Sequence, residues 1–333
     1  MIDLLSYGAF FLTMALTYAV ICLGLNLQWG QTGLFNVGVA GFVAVGAYVS
    51  SILTTPAIDG RLGGFDLPIV IGWLGGGLGA GFLCFLLGAI TMRLRSDYLA
   101  IATFGAAVVI QLALLNLEGI TGGPFGIGFI PRPFGTLAEQ PGLFAAANLA
   151  VLIVLVLVCY LALQHLTRSP WGRVLRALRE DEEAAKALGK DPVTYRLQAF
   201  AIGGFVMGLG GAAQAHFIGF IAPDNYLPTL TFQVWTMLIV GGGSGNMRGA
   251  ILGAILVWAI WALSGSLVAS VFPPDQQARA ASLQIVLIGV ALCLVLLLRP
   301  YGILGEAGTL RAPLRRALRR APNSLSEGQK TNV

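Results

Sequence analysis

The feature that most constrains this chain is a series of long apolar segments separated by short polar ones. An α-helix needs about 20 apolar residues to cross the hydrocarbon core of a bilayer. Nine apolar runs, several of that length, fall at 6–27, 34–55, 68–92, 98–117, 143–163, 197–218, 229–243, 249–271 and 282–298. Only 11% of the 333 residues are charged, whereas a soluble domain has about 25%. The chain is therefore predicted to be an all-α polytopic membrane protein with about nine transmembrane helices.

The basic residues set the expected orientation of these spans. If consecutive runs cross the membrane in alternate directions, only Arg61, Arg132 and Arg279 of the 20 lysines and arginines fall on one face. Because loops rich in Lys and Arg stay in the cytoplasm, the opposite face is predicted to be cytoplasmic and the amino terminus periplasmic. Residues 1–310 then form one transmembrane domain. Residues 311–333 form a basic cytoplasmic tail, which anchors the orientation or contacts anionic membrane lipid. This one-sided pattern explains the net charge of +5 without a nucleic-acid partner.

The apolar runs lack the ionisable groups that mark proton-driven carriers. No Asp, Glu, Lys or Arg lies inside a run away from its ends. His165 and His216 fall at or near span ends, where we expect interfacial positions rather than ligand roles. The four cysteines stand singly in separate runs, so we predict no metal site and no cofactor. No phosphate-binding loop of the GxxxxGK(S/T) type occurs. The chain is therefore expected to be non-catalytic, and if it takes part in active transport, another subunit must supply the energy.

The polar segment 164–196, between the fifth and sixth runs, contains a strong helix signal. Ser169 followed by Pro170 is typical of a helix start. Gly189, with a proline three residues later, is typical of a helix end with a positive φ at the glycine. We therefore predict one continuous helix over residues 170–188.

The side-chain pattern of this helix favours docking into another protein. Opposite charges four residues apart, as at Glu182 and Lys186, support the helix itself. Asp181 falls in the middle of its apolar stripe, which a helix lying on lipid would not favour. A helix docked in a protein groove could pair that carboxylate. The stripe consists of Val174, Leu178, Ala185 and Leu188.

Part of this segment resembles a known transporter motif. Glu183-Ala184-Ala185, followed after three residues by Gly189, is similar to the E-A-A-x-x-x-G core of bacterial ATP-binding-cassette (ABC) importer permeases. The wider pattern from Gly172 to Gly189 resembles the branched-chain amino acid permeases, the LivM/LivH family. The resemblance implies that this is the coupling helix that docks into the ATP-binding subunit. The contact residues would be Glu180, Asp181, Glu182, Glu183, Ala184, Ala185, Leu188 and Gly189.

Further motifs resemble the same family over about residues 6–305 of the chain. Residues 26–38 and 46–48 are similar to its amino-terminal signature, 242–254 to its glycine-rich signature, and 300–305 to its usual close after the last span. The IxLP extension that often follows the E-A-A core in other importers is absent, because residues 199–202 are Ala-Phe-Ala-Ile. The resemblance implies an importer permease fold with two inverted halves.

Two polar glycine-rich segments, 28–38 and 241–249, interrupt apolar runs, one in each half of the chain. Such interruptions are typical of transporters whose path is lined by broken helices. Glycines can instead let helix backbones approach closely, and we favour this for most of them, including Gly203, Gly204 and Gly208. For the polar residues both interpretations stand. Gln28, Gln31, Asn36 and Asn246 either line a translocation path or form hydrogen bonds between helices.

The resemblance implies a subunit of an importer in the bacterial inner membrane. Two permease subunits, this chain with a paralogue or a second copy, would form the path. Two ATP-binding subunits would drive it, and a periplasmic solute-binding protein would deliver the solute. An uncharged path suits leucine, isoleucine and valine, although it would also pass urea, short amides or other neutral amino acids. The competing class is a self-sufficient secondary carrier or channel, which would need an intramembrane carboxylate or cation site.

Overall fold

The structure, a computed structural model, describes residues 2–57, 63–94, 96–137, 139–242 and 245–271, with 302–304 and a few single positions between 283 and 297. Within these ranges all regular elements are helices, apart from an isolated antiparallel bridge between Ile127 and Ile221. Most of the ninth apolar run and the whole basic tail 311–333 lie outside the described residues.

Each of the first eight apolar runs folds into a helix, which confirms the all-α prediction for the described part of the chain. Six of the helices there are long and apolar enough to cross a membrane. The α-helices are α1 (Ile2–Leu25), α2 (Val39–Thr54), α3 (Ile69–Thr91), α4 (Ser96–Asn116), α5 (Glu118–Thr121), α6 (Pro141–Arg168), α7 (Pro170–Glu180), α8 (Glu182–Ala187), α9 (Pro192–Ile218), α10 (Pro228–Gly242) and α11 (Met247–Val271).

Proline sets the start of four of these helices. α6, α7, α9 and α10 each begin at a proline, whose fixed φ suits the first helical position and whose missing N–H is not needed there. α9 ends at Ile218 and is followed by Gly219, which has a φ of 78°. This is the left-handed region that glycine adopts without the steric cost of a Cβ.

Two of the helices formed by apolar runs are shorter than a full membrane span. α2 has 16 residues and α10 has 15, or about 24 and 22 Å at 1.5 Å per residue, against a hydrocarbon core of about 30 Å. α1 continues into a π-helical turn at Asn26–Gln31, and residues 33–38 are then not helical before α2 begins. α10 ends at Gly242 and α11 starts at Met247. Both predicted glycine-rich interruptions are therefore present.

The most buried long helices are α9 and α1, which share the centre of the molecule. The apolar windows of these helices are 78% and 72% buried, against 22–33% for α3, α4, α6 and α11. α9 packs on α1, α2 and α3. Glycines make these contacts close: a Cβ on Gly203 would lie 2.8 Å from the carbonyl oxygen of Gly24, and one on Gly208 would lie 2.8 Å from that of Gly76. The prediction that these glycines serve helix packing is confirmed.

Candidate functional site

The polar segment between α6 and α9 folds as two helices, so the prediction of a single helix over 170–188 was wrong. α7 and α8 are separated by Asp181, whose backbone is extended (φ -153°, ψ 100°). Its carboxylate accepts a hydrogen bond from the backbone N–H of Ala184 at 3.0 Å and caps α8. The side chain that we expected to need a docking partner thus has its partner within the chain.

Glu182 ties the short helix α8 to the base of α9. Its carboxylate lies 2.9 Å from the ammonium of Lys186 and 2.8 Å from the guanidinium of Arg196. The hydrogen bond from Lys186, with the nearby charge of Arg196, lowers the pKa of Glu182 below its ordinary value. The same contact raises the pKa of Lys186. Because Arg196 belongs to α9, its ion pair with Glu182 joins α8 to the first turns of α9.

The remaining coupling residues divide into a buried and an exposed set. Ala185 is buried against this chain, so it does not present an open surface to a partner. Gly189 has a φ of 75° with nothing near its Cβ position, which confirms the predicted turn. The residues that project outward form what we term the exposed face of α8, and Leu188 is its most prominent apolar group, at 80% exposed. This face consists of Glu183, Ala184, Lys186, Ala187 and Leu188.

The first glycine-rich break is held by a buried amide pair. Gln28 donates from Nε2 to the carbonyl oxygen of Phe200 in α9 at 2.8 Å. Its Oε1 accepts from Nδ2 of Asn36 at 2.7 Å. The oxygen of that Asn36 amide accepts from the backbone N–H of Gly38 at 2.8 Å, and Trp235 of α10 donates to the Asn36 carbonyl at 2.9 Å. Both amides are fully buried, so they fix the non-helical turn before α2.

The structure brings the two glycine-rich breaks, far apart in sequence, into direct contact. Gln31 donates from Nε2 to the carbonyl oxygen of Gly245 at 3.1 Å, and the backbone N–H of Gly245 donates to Oδ1 of Asn26 at 3.1 Å. Asn246 caps α11, accepting from two backbone N–H groups at 3.1 and 3.2 Å. Of the four predicted path residues, Gln31 and Asn246 are therefore at this junction, and Gln28 and Asn36 lie one turn away from it.

Arg179 links α7 to the same junction. Its Nη1 donates to the carbonyl oxygen of Gly30 at 2.5 Å, and a Cβ on Gly33 would lie 3.4 Å from its Cγ. No local pattern could have found this contact, since its two residues are 149 positions apart.

An open groove of about 570 Å³ lies beside this arrangement. It separates the first break from the turn between α3 and α4 and from α8. Its polar lining combines three cations with two carboxylates, which gives the surface next to the exposed face of α8 a mixed charge. These residues are Arg93, Lys186, Arg196, Glu182 and Asp191.

His216 lies inside the protein rather than at an exposed interfacial position. It is fully buried in α9. Its Nδ1 is 2.7 Å from the carbonyl oxygen of Pro131, and its Nε2 is 3.0 Å from Oγ of Ser50. The ring joins the loop before α6 to α2 and α9. Among the described residues no cluster of three His, Cys, Asp or Glu side chains could hold a metal ion.

The described part of the chain has six potential membrane spans, together with broken helices that meet beside a polar segment. This is the architecture of a membrane transport subunit. The comparison with known families agrees. The family described as the permease component of the branched-chain amino acid transport system matches residues 8–296. The chain belongs to this family.

Individual relatives support the assignment. The chain is 35% identical over 268 residues to the high-affinity branched-chain amino acid transport system permease protein LivM of Escherichia coli K12, covering 74% of this chain and 60% of the relative. It is 26% identical to the probable branched-chain amino acid transport permease protein LivM of Methanocaldococcus jannaschii, with 90% and 94% covered. For the permease protein LivH of Salmonella typhimurium, identity is 24% with 88% and 93% covered. The chain thus spans about three fifths of the Escherichia coli LivM. No solved structure matches it.

Proposed function

We propose that this chain is the transmembrane permease subunit of an ABC importer that moves leucine, isoleucine and valine across the bacterial inner membrane. The observation that carries the proposal is the family match over residues 8–296. The apolar runs lack charged residues away from their ends, which suits a solute that is zwitterionic or neutral overall. Urea, short amides and other neutral amino acids fit the same features and are the alternative cargo.

In the proposed complex this chain contributes half of the translocation path and performs no covalent chemistry. A second permease subunit supplies the other half, two ATP-binding subunits power the cycle, and a periplasmic solute-binding protein delivers the solute. The ninth span, the two inverted halves, the periplasmic amino terminus and the cytoplasmic tail 311–333 belong to this proposal. The distribution of Lys and Arg supports the orientation.

The coupling segment 164–196 provides the docking element in this scheme. The exposed face of α8 is apolar at Leu188 and Ala187, and its Glu183 is paired with Lys186 at 3.0 Å. It therefore suits a groove with an apolar floor and a polar rim. Asp181, Glu182 and Ala185 support the contact from behind, since they cap, anchor and pack α8 within this chain.

The translocation path is proposed to pass the junction of the two breaks. Gln31 is suited to contact solute, because its Oε1 is buried and accepts no hydrogen bond from the described residues. Gln28 and Asn36 use their amides within the chain, and Asn246 caps α11. These three residues therefore shape the path.

Co-expression with the ATP-binding subunits tests the proposal most directly. Leu188→Ala removes the most exposed apolar group of α8, and the ATP-binding subunit should then co-purify in a reduced amount and ATP-driven leucine uptake should fall. Leu117→Ala is the matched control. Leu117 is also an exposed leucine, but it follows the carboxyl end of α4, whereas the groove beside α8 is at the amino end of that helix. If Leu188→Ala forms the complex and takes up leucine as the wild type does, the assignment of α8 as the docking element is refuted. ATP-driven uptake of urea or acetamide, with none of leucine, would favour the alternative cargo.

A further inference from the structure

The carboxyl end of the first helix is completed by a residue of α7. The last four carbonyl groups of a helix have no partner within that helix, and they carry the negative end of its dipole. The carbonyl of Gly30 belongs to this set, since the helical segment that begins with α1 ends at Gln31. Arg179 supplies both a donor and a positive charge there, with Nη1 at 2.5 Å from the oxygen. A charge-assisted hydrogen bond of this kind is among the stronger polar contacts in proteins.

The same helix end touches the second break. A Cβ on Gly30 would overlap the backbone nitrogen of Gly245, so the two backbones are in direct contact. A Cβ on Gly245 would lie 3.8 Å from Nη1 of Arg179. The guanidinium therefore sits where three parts of the chain meet: the end of α1, the loop before α11 and the coupling segment.

α7 lies between this junction and α8, and its Arg179 makes the contact with the junction. Leu175 and Leu178 bury the inner side of α7, which packs on α6, α9 and the π-helical turn. Arg179 lies two residues before Asp181, the cap of α8. Only Glu180 and Asp181 therefore separate the guanidinium contact from the start of α8.

We propose that Arg179 is a positioning residue that holds the two glycine-rich breaks to the coupling segment, so that movement of α8 opens or closes their junction. This inference rests on the proposed function, because it assumes that an ATP-binding subunit acts on α8. It adds the route by which that action reaches the broken helices: α8, Asp181, Arg179, Gly30 and Gly245 in order.

The test uses the complete importer, reconstituted in liposomes with Arg179→Ala, Arg179→Lys or Arg176→Ala in this chain. Arg176 is exposed on the same helix one turn earlier and serves as the matched control. Three quantities are measured: the amount of complex, the rate of ATP hydrolysis and the solute imported per ATP. We expect Arg179→Ala to assemble and hydrolyse ATP while importing about tenfold less solute per ATP, the ratio that corresponds to loss of one charge-assisted hydrogen bond. Arg179→Lys should restore part of the ratio, and Arg176→Ala should match the wild type.

Three results would overturn the inference. In the first, Arg179→Ala imports the same amount of solute per ATP as the wild type. In the second, Arg176→Ala lowers the ratio as much as Arg179→Ala does. In the third, both Arg179 variants lose the complex, which would make the contact structural only. A wild-type complex that imports no solute would instead refute the proposed function itself.

Discussion

The close approach of α1 and α9 makes Gly24 a sensitive position for stability. A Cβ built on Gly24 lies 2.6 Å from the carbonyl oxygen of Gly203 and 3.0 Å from the backbone nitrogen of Met207. Ordinary van der Waals contact begins at 3.4 Å, so the Gly24→Ala methyl group is 0.8 Å too close to the nearer atom. The Met207 side chain, whose Cγ would lie 2.8 Å away, can move aside, but the Gly203 oxygen and the Met207 nitrogen belong to the backbone of α9. The two helices must therefore separate.

The magnitude follows from two opposing effects. Overpacking of this kind costs about 1–3 kcal/mol, partly because a gap of ~0.5–1 Å along the rest of the interface loses a quarter to a half of the dispersion attraction. Replacing a helical glycine by alanine stabilises the folded state by about 0.5–1 kcal/mol, because alanine loses less backbone entropy on folding. We therefore expect Gly24→Ala to lower the free energy of unfolding by about 1–2 kcal/mol.

The control lies in the same helix. Gly8 is also in α1, and nothing lies within 4 Å of a Cβ built on it. Gly8→Ala should therefore leave the free energy of unfolding unchanged or raise it by up to about 1 kcal/mol. Both variants and the wild type are unfolded in detergent micelles by heat or by added denaturing detergent. Equal stability of Gly24→Ala and Gly8→Ala would refute the packing argument.

Three further predictions concern orientation, pH and the path. In a Cys293→Ser background, which removes the exposed native thiol, an impermeant thiol reagent applied from the periplasm should label Phe125→Cys and not Ala177→Cys; the reverse result would invert the topology. The pKa of Glu182 is lowered in the folded chain, so its contribution to stability is present above the unfolded value of 4.5 and is lost as the pH falls through the folded value. The thermal unfolding midpoint of the wild type should therefore fall as the pH is lowered through this range. Glu182→Gln should not show this decrease. Gln31→Ala should reduce solute uptake while the complex still co-purifies; loss of the complex would assign Gln31 a structural role.

The helices could be predicted because their signals are local. Apolar length and the absence of charge locate the spans, and prolines such as Pro141 and Pro192 begin helices for steric reasons that need no tertiary information. The positive φ of Gly189 follows in the same way from its place at a helix end. The two interruptions were also visible, since glycine and amide residues break otherwise apolar runs.

The coupling segment shows where local reasoning fails. Charge pairs four residues apart favoured one helix, yet Asp181 gains more as a cap than as a helical residue, because its carboxylate bonds the N–H of Ala184. Burial could not be assigned from the stripe either. Ala185 faces inward and Leu188 outward, since α8 ends at Ala187 and Leu188 lies beyond the helix, at its cap.

Contacts between residues far apart in the chain could not be predicted from the sequence, for a different reason. Gln28 donates to Phe200, 172 positions away, and Arg179 donates to Gly30, 149 positions away. Polarity alone indicated that Gln28 needed a partner. Which partner it has depends on how α1 and α9 cross, and that crossing is set by the glycines that allow it.

α9 is the element through which the two ends of the molecule are coupled. Its first turns are joined to α8 by the ion pair of Arg196 with Glu182, and its last turn is joined to the loop before α6 by His216 and Pro131. With 27 residues it is about 40 Å long, and glycine contacts hold its middle against three neighbouring helices. Tightly packed helices shift between discrete arrangements more readily than they bend. Under the proposed function, α9 is therefore a rigid connection between α8, bonded through Arg196, and the loop before α6, bonded through His216.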